Sequence, residues 1–138
     1  DRREARLSQP RVGCGVVVIR DGKLLLLKRV NPPEADHWGL PGGKVDWMEA
    51  AATSAARELL EETGVTAGPM TLLCAADYID EVAGEHWLCP IYLAPDATGE
   101  AHRAEPHKHS GLGWFNLADP PEPLTVTARA AIEALPAQ

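Results

Sequence analysis

Glu58, Glu61 and Glu62 fall within the stretch RELLEETG at residues 57–64. On a helix, side chains three and four apart share a face, so these carboxylates converge. The arrangement is locally unfavourable. Like charges at i and i+4 cost roughly a few tenths of a kcal/mol, and the negative end of the helix dipole adds about 0.3–1 kcal/mol. Arg57 is the only basic residue between Met48 and Thr66, so mixed-sign pairing does not relieve the crowding. A divalent cation would relieve it, because carboxylate oxygens are natural ligands of Mg²⁺ and Mn²⁺. A solvated acidic face is the bland alternative, and spacing alone leaves both open.

The flanking residues bear on that choice. Gly42 and Gly43 precede the acidic segment and allow backbone to approach a ligand or metal closely. Glu49 supplies a fourth carboxylate near the helix start, where an acid also suits the helix dipole.

These residues need a scaffold. Met48–Thr63 contains no Gly or Pro and is rich in Ala, Leu and Glu, which predicts a helix. Gly64 then stands where a left-handed C-cap belongs. Upstream, Gly13–Ile19 and Lys23–Val30 read as strands joined at Asp21-Gly22, a hairpin signal. The segment from Asn31 to Trp47 is dense in Pro and Gly and reads as irregular loop. Thr71–Asp80 and His86–Ala94 read as two further strands, with Pro90 predicting an edge strand or a bulge. Residues 95–110 read as a polar loop, Gly113–Asn116 as a short strand, and Thr125–Leu135 as a second amphipathic helix. Strands, helix, strands, helix is not the strict alternation of a parallel doubly wound fold. The order predicts a mixed sheet with helices on its faces: a polar tail at 1–11, then one domain over 12–138.

Bulk properties narrow the functional classes. A chain of 138 residues can bury a core without staples. The net charge of −7 argues against binding a nucleic-acid polymer through its backbone, though not against a nucleotide carried with a cation. Cys14, Cys74 and Cys89 are odd in number and lack CxxC spacing, which points to free thiols in a reducing compartment. The longest apolar runs, such as Leu24–Leu27, are too short for a bilayer, and residues 1–11 do not resemble a secretory signal. No membrane association and a cytoplasmic location are the resulting expectations.

The spacing from Gly43 through Glu49 and Arg57-Glu58-Leu59 to Glu61-Glu62 and Gly64-Val65 matches the Nudix box at every defined position, with Leu40-Pro41-Gly42-Gly43 as its usual lead-in. More loosely, the flanks from GCGVVVI to Trp114-Phe115 also resemble that family. The resemblance implies an α/β/α sandwich around a mixed β-sheet, of the α+β kind. It implies a hydrolase acting on a nucleoside diphosphate linked to another moiety, with Mg²⁺ as cofactor and Mn²⁺ as a substitute. By position, Glu58 and Glu62 would be the main metal ligands. Glu61 would be a further ligand or would position the catalytic water. The Gly43 carbonyl would also ligate metal. Arg57 would orient the glutamates, and Glu49 would pair with Arg57 or assist the shell. Homodimers are common in the family, and no sequence feature decides the assembly here.

The segment EPHKHSGLGWF at 105–115 resembles one found in MutT-like and Nudix 15-like nucleoside triphosphate pyrophosphatases. Glu105 and His107 are therefore candidate substrate-binding residues, with His107 standing where those relatives carry an acid. ADP-ribose pyrophosphatases often have a marker proline beyond the box, and none lies between Met70 and Cys89. The favoured expectation is cleavage of a nucleoside triphosphate to a monophosphate and pyrophosphate. ADP-ribose or another nucleotide sugar is the alternative substrate, and a catalytically inactive nucleotide-binding module the alternative class. Trp38, Tyr78, Trp87 and Trp114 could each stack on a base or simply pack. Trp38, in the glycine-rich loop, is the preferred pocket residue, and Trp114 the preferred packing one. His102, His107 and His109 have irregular spacing and no partner motif, so they read as loop residues more than as a transition-metal site.

Overall fold

Leu24, Leu25, Leu26 and Leu27 are each no more than 1% exposed in a computed structural model that describes residues 8–136. A strand apolar at successive positions is one covered on both faces. This strand, β3 (Lys23–Arg29), pairs antiparallel with β2 (Ile19–Arg20), β4 (Trp38–Gly39) and β8 (His109–Asn116). The β2–β3 hairpin turns at Asp21 and Gly22, both with positive φ (53° and 74°), the geometry that Asp-Gly favours.

A second sheet is mixed. It contains β1 (Arg11–Val17), β5 (Gly42–Lys44), β6 (Thr71–Asp80) and β7 (Glu85–Leu93) in the order β5–β1–β7–β6. β1 and β7 run parallel, and the other two pairs are antiparallel. Helix α1 (Ala51–Thr63) packs on β1 and β5, while α2 (Val126–Ala134) packs on β6 and β4.

Strand alternation assigns the side chains to two cores. Cys14, Val16, Val18 and Leu25 join Ala55 and Leu59 of α1. Val17, Leu24, Leu26 and Ile91 join Ala128 and Ala131 of α2. Consecutive residues thus serve opposite helices, as a period of two requires. Truncating Leu59, fully buried between α1 and the sheet, would cost about 2–5 kcal/mol. The architecture is the expected α+β arrangement with a mixed sheet.

Several expectations are corrected. The first helix starts at Ala51, not Met48: Met48 has φ 69°, which a right-handed helix cannot contain. Ala50 is its N-cap and gives no side-chain hydrogen bond, whereas Gly64 ends the helix with φ 77° and donates to the Leu60 carbonyl at 2.9 Å, as expected. The glycine-rich segment is not wholly irregular, since it contributes β4 and β5. Pro90 lies on β7, an interior strand, so the edge-strand option fails. A register irregularity does occur nearby, between Leu72 and Cys74 on β6. β8 begins at His109, four residues before the strand expected from sequence. Of the expected tail, residues 1–7 lie outside the described residues, and Arg11 already opens β1. All three cysteines are free, with Cys14 buried. Among the described residues, no helix is long and apolar enough to cross a membrane.

Candidate active site

Arg57 is the hub of the acidic face. Its Nε and Nη2 donate to the two carboxylate oxygens of Glu49 at 3.0 Å each. Nη1 donates to Glu58 Oε1 at 3.3 Å and to Glu61 Oε2 at 3.1 Å. Nη2 also reaches Asp46 Oδ2 at 3.2 Å and Ser54 Oγ at 3.3 Å. The local fold explains the geometry. Arg57, Glu58 and Glu61 project from one side of α1, and the turn that brings Glu49 N–H to the Asp46 carbonyl folds two further acids back over the guanidinium. The Arg57 hydrogen bonds hold the Glu49 carboxyl down to about 2. The same pairing, with Glu49 foremost, raises Arg57 above its already high range.

Glu62 sits apart, on the inward side of the helix, and is only 5% exposed. Its Oε1 accepts from the Gly42 N–H at 2.7 Å, and its Oε2 lies 3.4 Å from His109 Nε2. Burial pushes its pKa up to about 8, with Glu58 and Glu105 adding repulsion and the Gly42 hydrogen bond opposing. Burial raises Glu58 as well. It lowers His109, so Glu62 and His109 are both driven toward their neutral forms.

Gly43 joins the helix to the sheet. The Glu58 carboxylate occupies the space where a Gly43 side chain would begin, 2.9 Å from an added Cβ. The Gly43 carbonyl accepts from the Cys14 thiol at 3.4 Å. Burial raises the Cys14 pKa, which keeps that thiol protonated as the donor.

The site fits a hard divalent cation. Its oxygens come from carboxylates and a backbone carbonyl, the donor class of Mg²⁺. Glu62 is buried at the cost of its charge, a cost that an adjacent cation removes. The missing Cβ at Gly43 leaves room for a carboxylate against backbone. Among the described residues, no group of three or more His, Cys, Asp and Glu side chains is placed to hold a metal ion by itself.

Beside these groups opens a cavity of about 220 Å³. Gly42, Gly43 and Lys44 form one wall, while Tyr78 and Trp87, cross-strand partners on β6 and β7, contribute the aromatic surface. Arg29, Glu34 and Thr127 add polar groups. Glu34 Oε2 accepts from the Val126 N–H at 2.8 Å, which ties the loop to the start of α2.

The structure gathers Glu49, Arg57, Glu58 and Glu61 around one guanidinium, with Gly43 and Glu62 adjacent. Glu105 lies close enough to raise the Glu62 pKa, pairs with Lys108 at 3.6 Å and keeps a buried Oε1 without a partner. His107 is exposed and makes no hydrogen bond or ion pair with these carboxylates. Trp38 is not among the residues lining the cavity. It packs edge-on against Phe115 with ring centroids 4.8 Å apart. Trp114 packs against the α1 core, as expected. Sequence reasoning missed Asp46 and left His109 in a loop. An acid three residues before Glu49 was the available signal for the first. Nothing local marks the second, whose burial comes from the pairing of β8 with β3.

The NUDIX domain model matches residues 9–135, and the chain belongs to that family. More particularly it is MutT-like: a crystal structure of a MutT NUDIX hydrolase from Burkholderia pseudomallei is 52% identical, with a TM-score of 0.90 over 93% of this chain and 99% of that one. Two curated relatives are more distant. A CTP pyrophosphohydrolase of Escherichia coli is 32% identical over 71% of this chain and 70% of its own length. An ADP-ribose pyrophosphatase of Methanocaldococcus jannaschii is 28% identical over 82% of this chain, but the match spans only 66% of that relative.

Proposed function

We propose that the chain is a Mg²⁺-dependent nucleotide pyrophosphohydrolase of the cytoplasmic pool, converting a nucleoside triphosphate to a monophosphate and pyrophosphate. One observation carries this reading. The backbone at Gly42–Lys44 touches Glu58 and Glu62 on one side and walls the aromatic cavity on the other. Phosphates held at the carboxylates would therefore leave a base within reach of Tyr78 and Trp87.

Glu58, Glu62 and the Gly43 carbonyl would hold the cation, with Glu61 as a further ligand or an orienter of water. A bound divalent cation supplies charge neutralisation and Lewis acidity to the phosphates. Arg57 and Glu49 fix the directions of Glu58 and Glu61. A carboxylate of the cluster accepts a proton as water attacks phosphorus, and the phosphoric anhydride bond breaks. Glu105, whose charge raises the Glu62 pKa, would be a candidate for contacting substrate.

The E. coli relative's name supports a triphosphate. The archaeal relative's name favours ADP-ribose as a second reading. The decisive experiment is a panel of nucleoside triphosphates and ADP-ribose with Mg²⁺ and product identification. Monophosphate plus pyrophosphate is expected, with a loss of at least about 100-fold in kcat for Glu58→Gln. Turnover of ADP-ribose alone would replace the triphosphate reading. Tight binding without turnover of any compound would make the chain a binding module.

A further inference from the structure

Ser54 is fully buried on α1, yet its hydroxyl stands between two parts of the site. Ser54 Oγ donates to the Lys44 carbonyl at 3.3 Å and accepts from Arg57 Nη2 at 3.3 Å. One residue earlier, the Gly43 carbonyl accepts from the buried Cys14 thiol on β1 at 3.4 Å, where Cys14 and Gly43 are register partners. Two successive carbonyls of β5 therefore meet side-chain donors from two different elements, one on the helix and one on the neighbouring strand. A serine hydroxyl has one hydrogen and two lone pairs, so it can give to Lys44 and receive from Arg57 together. Alanine would fill almost the same space and do neither.

We propose that Ser54, together with Cys14, acts as a positioning residue for the cation site. Ser54 sets the Arg57 guanidinium against the Gly43–Lys44 backbone, and Arg57 in turn sets Glu58 and Glu61. Cys14 fixes the direction of the Gly43 carbonyl. The separation between that carbonyl and the helix carboxylates is thereby determined before a cation arrives. Groups that orient ligands without touching the metal typically alter metal affinity by about 10- to 100-fold when removed. The inference rests on the reading that Gly43, Glu58 and Glu61 serve a cation.

Calorimetric titration of Mg²⁺ into the metal-free wild type, Ser54→Ala, Ser54→Cys and Cys14→Ala tests it, with thermal midpoints recorded in parallel. Ser54→Ala is expected to bind Mg²⁺ about tenfold more weakly, and its kcat is expected to recover toward wild type at saturating Mg²⁺. Ser54→Cys, which keeps a donor of similar size, should regain most of the affinity. Cys14→Ala should weaken binding in the same direction. If Ser54→Ala does not fold, Cys14→Ala carries the test, because a packing role alone would leave its Mg²⁺ affinity unchanged. Wild-type affinity in Ser54→Ala and Cys14→Ala, with only the midpoints lowered, would overturn the proposal while leaving the hydrolase reading intact. A wild type that binds no Mg²⁺ would overturn both.

Discussion

The Glu58 carboxylate fills the place of a side chain on Gly43: an added Cβ would stand 2.9 Å from Glu58 Cδ and 3.0 Å from its Oε1. Glycine is required here by proximity, not by an unusual φ. Gly43→Ala should therefore push Glu58 out of position while leaving the sheet paired. A displacement near 1 Å at a reacting centre costs on the order of 100-fold. We expect a loss of about that size in kcat/KM, with circular dichroism and thermal midpoint close to wild type.

Glu62 gives the metal-free protein a distinctive pH response. Its folded pKa, about 8, lies above the ordinary value of 4.5. A group raised on folding favours the folded state at low pH, and that contribution is lost as pH rises through the folded pKa. Thermal midpoints without metal should therefore fall between about pH 4.5 and pH 8. Mg²⁺ should restore them at the alkaline end, and Glu62→Gln should flatten the slope. Mg²⁺ binding near neutral pH should also release a proton, detectable by calorimetry in buffers of different ionisation enthalpy.

Arg57 cannot be replaced by lysine without loss. Its planar fork meets both oxygens of Glu49 while still reaching Glu58 and Glu61. An ammonium group lacks that geometry. Arg57→Lys should retain the fold but reduce kcat by at least about tenfold and raise the Mg²⁺ concentration needed for half-maximal rate. Steady-state kinetics across a Mg²⁺ series will show whether both change.

Two tryptophans should separate binding from packing. Trp87 lines the cavity, whereas Trp38 packs on Phe115. Trp87→Ala should raise KM for the nucleotide about tenfold, the loss of roughly one aromatic contact, with kcat less affected. Trp38→Ala should mainly lower the thermal midpoint. A KM effect confined to Trp38→Ala would reverse these assignments.

The legible features were those written locally. The α1 pattern, its Gly64 cap and the Asp21-Gly22 hairpin each depend on a few neighbouring residues, and each forms as expected apart from the late start of α1. β4 and β5 were hidden because Gly supplies three of their five residues and Pro41 lies between them, and only pairing with β3 and β1 makes them strands. Pro90 occupies an interior strand because its neighbours, not its own propensity, decide where β7 lies. The same holds for the site. The glutamates announced themselves by spacing. His109 owes its contact with Glu62 to strand register, and Trp38 owes its orientation to β4. Neither relation has a local signal.

The parallel pairing of β1 with β7 has a consequence for the order in which the chain is made. The signature from Gly43 to Val65 is continuous, but β1, which holds β5 on one edge, needs β7 on the other, and β7 begins only at Glu85. His109, the neighbour of Glu62, comes later still. A ribosome that has finished the signature has thus produced its glutamates without the platform that orients them. A chain that stops before Glu85 carries the family's most recognisable segment and lacks the site that the segment names.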